Sequence, residues 1–262
     1  MTVLVGILGA TGMVGQRFIT LLNDHPYLKV AALGASPKSA GKTYKNATDK
    51  SWKMTSPIPQ DIAPMMVHTC DPSNFKMCKI IFSGLDADVA GDIEMNFVKS
   101  DFVVFSNAKN HRMNPIVPLM VPLVNTHHFD IIPHQKKVFG CKNGFLVTNA
   151  NCSTTGLVVV LAALTNSFGP LSRVIVVTMQ AISGSGYPGI SSLDILGNVI
   201  PYISGEEEKI EVEVGKILGS FDKEKSEFVP HQPLKVSASC NRVPVIDGHT
   251  EVVSRLILEC VY

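Results

Sequence analysis

Short apolar runs alternate along this chain with longer stretches in which apolar residues recur every three or four positions. Val3 to Leu8 is an apolar run rich in β-branched residues; the turn Gly9-Ala-Thr-Gly12-Met-Val-Gly15 and an amphipathic stretch from Gln16 to Asn23 follow it. That order predicts strand, glycine turn and helix. Leu28 to Leu33, Lys79 to Leu85 and Phe102 to Asn107 have the same compact apolar character and predict further buried strands that end in small or polar residues. Phe145 to Asn149 predicts another strand, and Thr155 to Leu164 is an uninterrupted run of apolar and small residues that predicts a helix. Between Thr43 and Met66 several prolines and weak periodicity predict an irregular excursion or a poorly ordered loop. Farther on, Ser172 to Gln180 predicts a strong strand, Ala181 to Pro188 a polar loop, and Gly205-Glu206-Glu207-Glu208-Lys209 the opening of a helix.

Strands alternating with helices predict an α/β fold: a Rossmann-type parallel-sheet domain over residues 1–150, then a mixed-sheet α+β substrate and dimerisation domain over residues 151–262. The chain has 262 residues, 45% of them hydrophobic and 17% charged, which is enough for a large core and two domains. Its 23 basic and 22 acidic residues generate no global field, and no basic cluster suggests a nucleic-acid surface. Met1-Thr2 runs directly into a strand pattern, so the expectation is a chain without a secretory leader, and no apolar run reaches membrane-spanning length. Cys70, Cys78, Cys141, Cys152, Cys240 and Cys260 are scattered and show no metal-type spacing. Such thiols fit a reducing, cytoplasmic setting.

Two stretches carry candidate chemistry. Glycines at positions 9, 12 and 15 let the backbone turn tightly and approach a pyrophosphate, and the helix that follows offers unpaired N–H groups to it. A tight strand-helix turn without ligand is the alternative. The second strand leads into Gly34-Ala-Ser36-Pro-Lys38, with no acidic residue to hold a ribose 2′-hydroxyl. Ser36 and Lys38 suit a 2′-phosphate, favouring NADP over NAD, against the alternative of an ordinary solvated loop. Cys152, in Asn151-Cys-Ser-Thr-Thr155, sits where a strand meets a helix N-terminus. There the helix dipole and free N–H groups are expected to lower a thiol pKa and activate a nucleophile. A buried structural cysteine is the other reading. Arg112 is a candidate anion contact or a plain surface arginine.

Read together, GATGMVG, SNAKNHRM, NANCSTT, QAISGSGYPG, GEEEK and NRVPVIDGH, in that order, resemble the aspartate-semialdehyde dehydrogenases of archaeal and fungal type over essentially the whole chain. The resemblance implies reversible conversion of L-aspartate 4-semialdehyde, phosphate and NADP+ to 4-phospho-L-aspartate and NADPH through a cysteine thioester, on the route to lysine, methionine and threonine. It implies Cys152 as nucleophile, Gln180 orienting the acyl group and His249 as general acid/base. For the substrate it implies Arg242 on the α-carboxylate, Glu206 or Glu207 on the amino group, Arg112 and Lys209 on phosphate, and Asn151 beside them. For NADP it implies Gly9, Thr11, Gly12, Met13, Val14, Gly15, Ser36, Lys38, Ser83, Ser183 and Gly184, with no metal. Family members are homodimers or homotetramers. The family pattern continues on the order of a hundred residues beyond the GH-T motif. The second domain is therefore expected to be incomplete at its C-terminus, with turnover impaired. An N-acetyl-γ-glutamyl-phosphate reductase and a catalytically silent nucleotide-binding fragment are the alternatives.

Overall fold

The computed structural model describes residues 2–231 and 234–257. Residues 258–262, Cys260 among them, lie outside the described residues. The chain divides into two compact units, residues 1–111 with 132–149, and residues 112–131 with 150–262. Arg112–Ile131 thus belongs to the second unit although it precedes residue 150.

In the first unit, β1 (Val3–Leu8), α1 (Met13–Leu22), β2 (Leu28–Ala35), α2 (Tyr44–Thr48), β3 (Val67–Thr69), β4 (Ile80–Ser83), α3 (Ala87–Lys99) and β5 (Val103–Ser106) follow one another. The next strand, β6 (Leu119–Met120), lies in the stretch that belongs to the second unit, after which α4 (Ile132–Phe139) and β7 (Phe145–Asn149) complete the first. Strand order is β3-β2-β1-β4-β5-β7, every pair parallel. The order reverses direction between β1 and β4, and in sheets of this kind ligands bind at the carboxyl ends of the strands at such a switch point. Val5, Ile7, Leu33, Ile81 and Val104 are buried. Strands covered on both faces read as continuous apolar runs, which is the pattern the sequence carries.

The Thr43–Met66 excursion is packed, contrary to the poorly ordered loop that its prolines suggest. Tyr44 is fully buried, and its hydroxyl donates to the Ala10 carbonyl at 2.8 Å. Gln16 Nε2 donates to Thr11 O and Ser51 O, while its Oε1 accepts from Lys53 N. Long-range anchors from Tyr44 and Gln16, which no local periodicity reveals, hold this segment under the glycine turn.

The second unit continues with α5 (Cys152–Phe168), β8 (Leu171–Gln180), α6 (Ser192–Ile195), β9 (Ile200–Pro201), α7 (Glu206–Ile217), β10 (Ser220–Asp222), β11 (Glu227–Val229), β12 (Lys235–Arg242) and β13 (His249–Ile257). Its main sheet has the order β13-β8-β12-β9 and is mixed, with β12 parallel and β13 antiparallel to β8. Helices α5 and α7 supply Leu157, Val158, Leu161, Ile210, Val214 and Ile217 to a core shared with Val174, Val176, Ala238 and Cys240 of the sheet. Two glutamates one helical turn apart on α7 satisfy the edge of β12: Glu211 accepts from Ala238 N and Glu207 from Cys240 N, at 3.1 and 2.9 Å. Unpaired strand N–H groups would otherwise remain there.

Candidate active site

Sheet register assembles the centre of the second unit. Gln180 ends β8, and its cross-strand partners are Arg242 of β12 and His249 of β13. Residues separated by more than sixty positions in sequence therefore stand in one row. Helix α5 begins beside them at Cys152, whose Sγ lies 3.2 Å from His249 Nε2. Cys152, Gly156, Ser183, Gly248, His249 and Glu251 line an open cavity of about 440 Å³.

Asn151 fixes where Cys152 stands. Its Oδ1 accepts from Ser153 N and Thr154 N and so caps α5, while its Nδ2 donates to Glu206 Oε2 at 2.6 Å. Its backbone N–H donates to Glu213 Oε2 at 2.7 Å. The other oxygen of Glu213 accepts from Arg112 Nη1 at 2.8 Å. Arg112 and Glu213 are 8% and 2% exposed, so this is a buried, charge-assisted pair behind the nucleophile position. Lys216, one turn farther along α7, donates to the carbonyls of Arg112, Asn114 and Val117 at 2.6–2.7 Å. Burial draws its ammonium down to about 7 against the pull of Glu213.

Arg112, expected at a phosphate, thus donates to a buried carboxylate. Glu207, weighed for the substrate amino group, is turned to the Cys240 amide. Glu206 faces the site: it bonds Asn151 and Lys209. Burial opposes its charge, but Lys209, Asn151 and Arg242 together hold its carboxyl below the usual value. Arg242 is 5% exposed and donates through Nη1 to Ala181 O at 2.7 Å; its buried Nε has no hydrogen-bond partner among the described residues. A Cβ at Gly184 would meet Arg242 Nη1 at 3.0 Å, so a larger residue there would press on that guanidinium.

The thiol reverses one expectation. Burial, then the Glu206 carboxylate, push the Cys152 thiol above its ordinary value, overriding the backbone N–H groups of Ser153 and Cys152 and the Arg242 charge that pull it down. A helix N-terminus favours a thiolate, but desolvation acts on the same atom and wins here. Burial also lifts the Glu251 carboxyl in the cavity to about 7. Glu213 and Glu251 escaped the sequence reading. Glu213 stands seven positions after Glu206, two turns along the same helix face, and Glu251 stands two after His249 on the same face of a strand.

In the first unit Gly9 adopts φ +70, and a Cβ there would strike Gly84 O at 2.5 Å. A Cβ at Gly15 would strike Gly9 O at 2.2 Å. Gly12 precedes α1 without any side-chain cap, and the first turn, which carries Met13 and Val14, holds no acidic residue. This leaves helix N–H groups to an anion and fits a dinucleotide pyrophosphate. Ser36 and Lys38 are exposed after β2, with no carboxylate between them, and suit a phosphorylated ribose. Ser83 is fully buried, and its hydroxyl bears on Glu94. Thr11 is partly exposed in the turn; Ser183 and Gly184 belong to the second unit. Among the described residues no cluster of ligands suits a metal, and no helix is long and apolar enough to cross a membrane.

A nucleotide-type glycine turn in one unit and a cysteine-histidine pair in the other define a class, and comparison with known families agrees with it. The semialdehyde dehydrogenase NAD-binding domain matches residues 4–132, and the semialdehyde dehydrogenase dimerisation domain matches residues 161–257. The aspartate-semialdehyde dehydrogenase of Cryptococcus neoformans is 59% identical over 254 residues, which span 95% of this chain and 69% of that protein. The enzyme of the same name from Archaeoglobus fulgidus is 47% identical, over 95% of this chain and 70% of its own length. The crystal structure of the Candida albicans enzyme with NADP superposes with a TM-score of 0.92 at 50% identity, covering 100% of this chain and 73% of that one. The chain belongs to the aspartate-semialdehyde dehydrogenase family.

Proposed function

We propose that this chain interconverts L-aspartate 4-semialdehyde and 4-phospho-L-aspartate with NADP and phosphate, as a step of amino-acid biosynthesis in the cytoplasm. The observation that carries this reading is the Cys152–His249 contact of 3.2 Å beside the row of Gln180 and Arg242. In the reductive direction the Cys152 thiolate attacks the acyl-phosphate carbon; a C–S bond forms, the C–O bond to phosphate breaks, and inorganic phosphate leaves. The resulting thioester accepts a hydride more readily than a carboxylate does. The nicotinamide, when bound, supplies or accepts that hydride. Gln180 orients the acyl group and His249 manages the proton at the sulfur and the substrate oxygen. Arg242 holds the α-carboxylate bidentately, a task its planar fork suits and lysine does not. Glu206 receives the α-amino group, and Lys209 beside it receives phosphate.

Residues 1–150 serve as the NADP-binding domain, with Gly9 to Gly15 on the pyrophosphate and Ser36 and Lys38 on the 2′-phosphate. Residues 151–262 serve catalysis and dimerisation. The outward row of the mixed sheet supports a homodimer or homotetramer: Ile175, Val177, Met179 and Val252 are 48, 38, 36 and 59% exposed on adjacent strands. Apolar patches of this kind mark subunit contacts. Phosphate-dependent NADPH formation from L-aspartate 4-semialdehyde tests the activity. Preference for the N-acetylated glutamate semialdehyde, or no turnover with either aldehyde, would overturn it.

A further inference from the structure

Helix α3 carries an acid where its apolar face should continue. Its buried residues are Ala90, Glu94, Phe97 and Val98, and Glu94 is fully buried in the middle of that row. A carboxyl taken out of water is unfavourable unless its oxygens find partners. Ser106, the last residue of β5, donates through Oγ to Glu94 Oε1 at 2.7 Å, and the same hydroxyl oxygen accepts from Ala108 N at 3.1 Å. The other oxygen, Oε2, and the hydroxyl of Ser83, the last residue of β4, are buried without a well-formed hydrogen bond among the described residues, yet the hydroxyl is near enough to pull the carboxyl down. One acid thus stands between the C-terminal ends of two neighbouring parallel strands, and β4 flanks the switch point where ligands bind such sheets.

Ser83 leads directly into Gly84, which is wedged against the glycine turn. Gly84 N donates to Leu8 O at 2.9 Å, and a Cβ at Gly84 would meet Val14 Cγ1 at 2.9 Å and Gly15 N at 3.1 Å. On the other side, Ser83 O accepts from Asn107 N at 3.0 Å. The segment after β5 is in turn laid on α3: Asn110 Nδ2 donates to Ala87 O at 2.8 Å, and His111 Nε2 lies 3.3 Å from Gly91 O. We propose that Glu94 is a positioning residue for the dinucleotide: through the Ser83 and Ser106 hydroxyls it sets the Ser83–Gly84 peptide, and with it the glycine turn, in the place that receives the pyrophosphate. A neutral carboxyl donates from one oxygen and accepts at the other, which matches one serine hydroxyl on each. Burial holds the Glu94 carboxyl above its ordinary value against the pull of Ser83, Ser106 and His111, in keeping with that form. The pyrophosphate part of this inference rests on the nucleotide reading of the glycine turn; the clamp on the two strand ends does not.

Backbone amide hydrogen exchange, read by mass, tests the clamp in three variants. Glu94→Gln keeps one donor and one acceptor on the same frame, Glu94→Leu keeps neither, and Ser106→Ala removes one arm. In Glu94→Leu, peptides holding Gly84, Asn107 and the glycine turn should exchange about tenfold or more faster than in the parent, while β2 keeps its rate. Ser106→Ala should show the same pattern at lower amplitude and carries the comparison if Glu94→Leu does not fold. NADPH, followed by its fluorescence, should bind about tenfold more weakly to Glu94→Leu and within about threefold of the parent to Glu94→Gln. Unchanged exchange at the turn, or equal acceleration in β2, would overturn the proposal. So would a Glu94→Gln as impaired as Glu94→Leu, or parent-like NADPH binding by Glu94→Leu. A parent that binds no NADPH while the variants show the expected exchange would sink the nucleotide reading and leave the clamp standing.

Discussion

The two units keep their charges differently. In the first, the buried polar residues among the described ones are Gln16, Thr48, Ser83, Glu94, Ser106, Gln135 and Thr148, and of these Glu94 alone is ionisable. In the second, Arg112, Glu213, Lys216 and Arg242 are all nearly buried, in a neighbourhood that also holds Asn151 and Gln180. Burying charge is costly unless partners are supplied, and the partners here lie about a hundred positions apart, as with Arg112 and Glu213 or Lys216 and the carbonyl of Asn114. The first unit is a scaffold whose stability comes from apolar strands. The second spends part of its stability on fixing polar groups around one thiol.

Substitutions can break or sharpen that contrast. The largest expected effect is Cys152→Ser, which should lower turnover by about a thousandfold or more while leaving the melting temperature near that of the parent, because the residue belongs to neither apolar core and serine nearly preserves its shape. Next comes Lys216→Met: it takes the ammonium donor from the carbonyls of Arg112, Asn114 and Val117, of which Asn114 O keeps the Val117 N–H, and should destabilise the chain by about 3 kcal/mol or more in urea unfolding. A loss below about 1 kcal/mol would mean that water replaces the ammonium, and the second unit would then not differ in kind from the first. In the first unit Ile7→Ala should cost about 2–5 kcal/mol from apolar burial.

Glu251 separates the units by pH. Its folded-state value of about 7 lies above the ordinary 4.5, so the folded chain holds this proton more tightly than the unfolded one. The stability it contributes is full below 4.5 and is lost as pH rises through about 7. Glu251→Gln should therefore flatten the pH dependence of the melting temperature across that window and leave the variant more stable than the parent at pH 8; an unchanged slope would remove Glu251 as its cause. The smallest effect is expected at Lys38, where replacement by alanine should weaken NADP by about tenfold and NAD hardly at all.

The same contrast decides what the sequence discloses. The glycine turn, the strand runs of the first sheet and the helix N-terminus at Cys152 are local patterns, read from neighbouring residues. Cys152, Gln180, Arg242 and His249 stood out as motif residues, but that three of them share one row depends on strand pairing. Glu213 was invisible as a partner because nothing local joins it to Asn151 or Arg112. Thiol acidity was misjudged for a related reason: a helix N-terminus is readable, whereas desolvation and the Glu206 charge come from tertiary packing. Tyr44 and Gln16, which fold an apparently loose excursion into the first unit, make the same point outside the site.

The central claim is that Cys152 carries the acyl group. Incubating the chain with L-aspartate 4-semialdehyde and NADP+ without phosphate, quenching in acid and mapping peptides by mass tests it most directly. The account expects a hydroxylamine-sensitive aspartyl adduct on Cys152, absent from Cys152→Ser and discharged by added phosphate. An adduct on another cysteine, or NADPH formed while Cys152 stays unmodified and alkylatable, would contradict it.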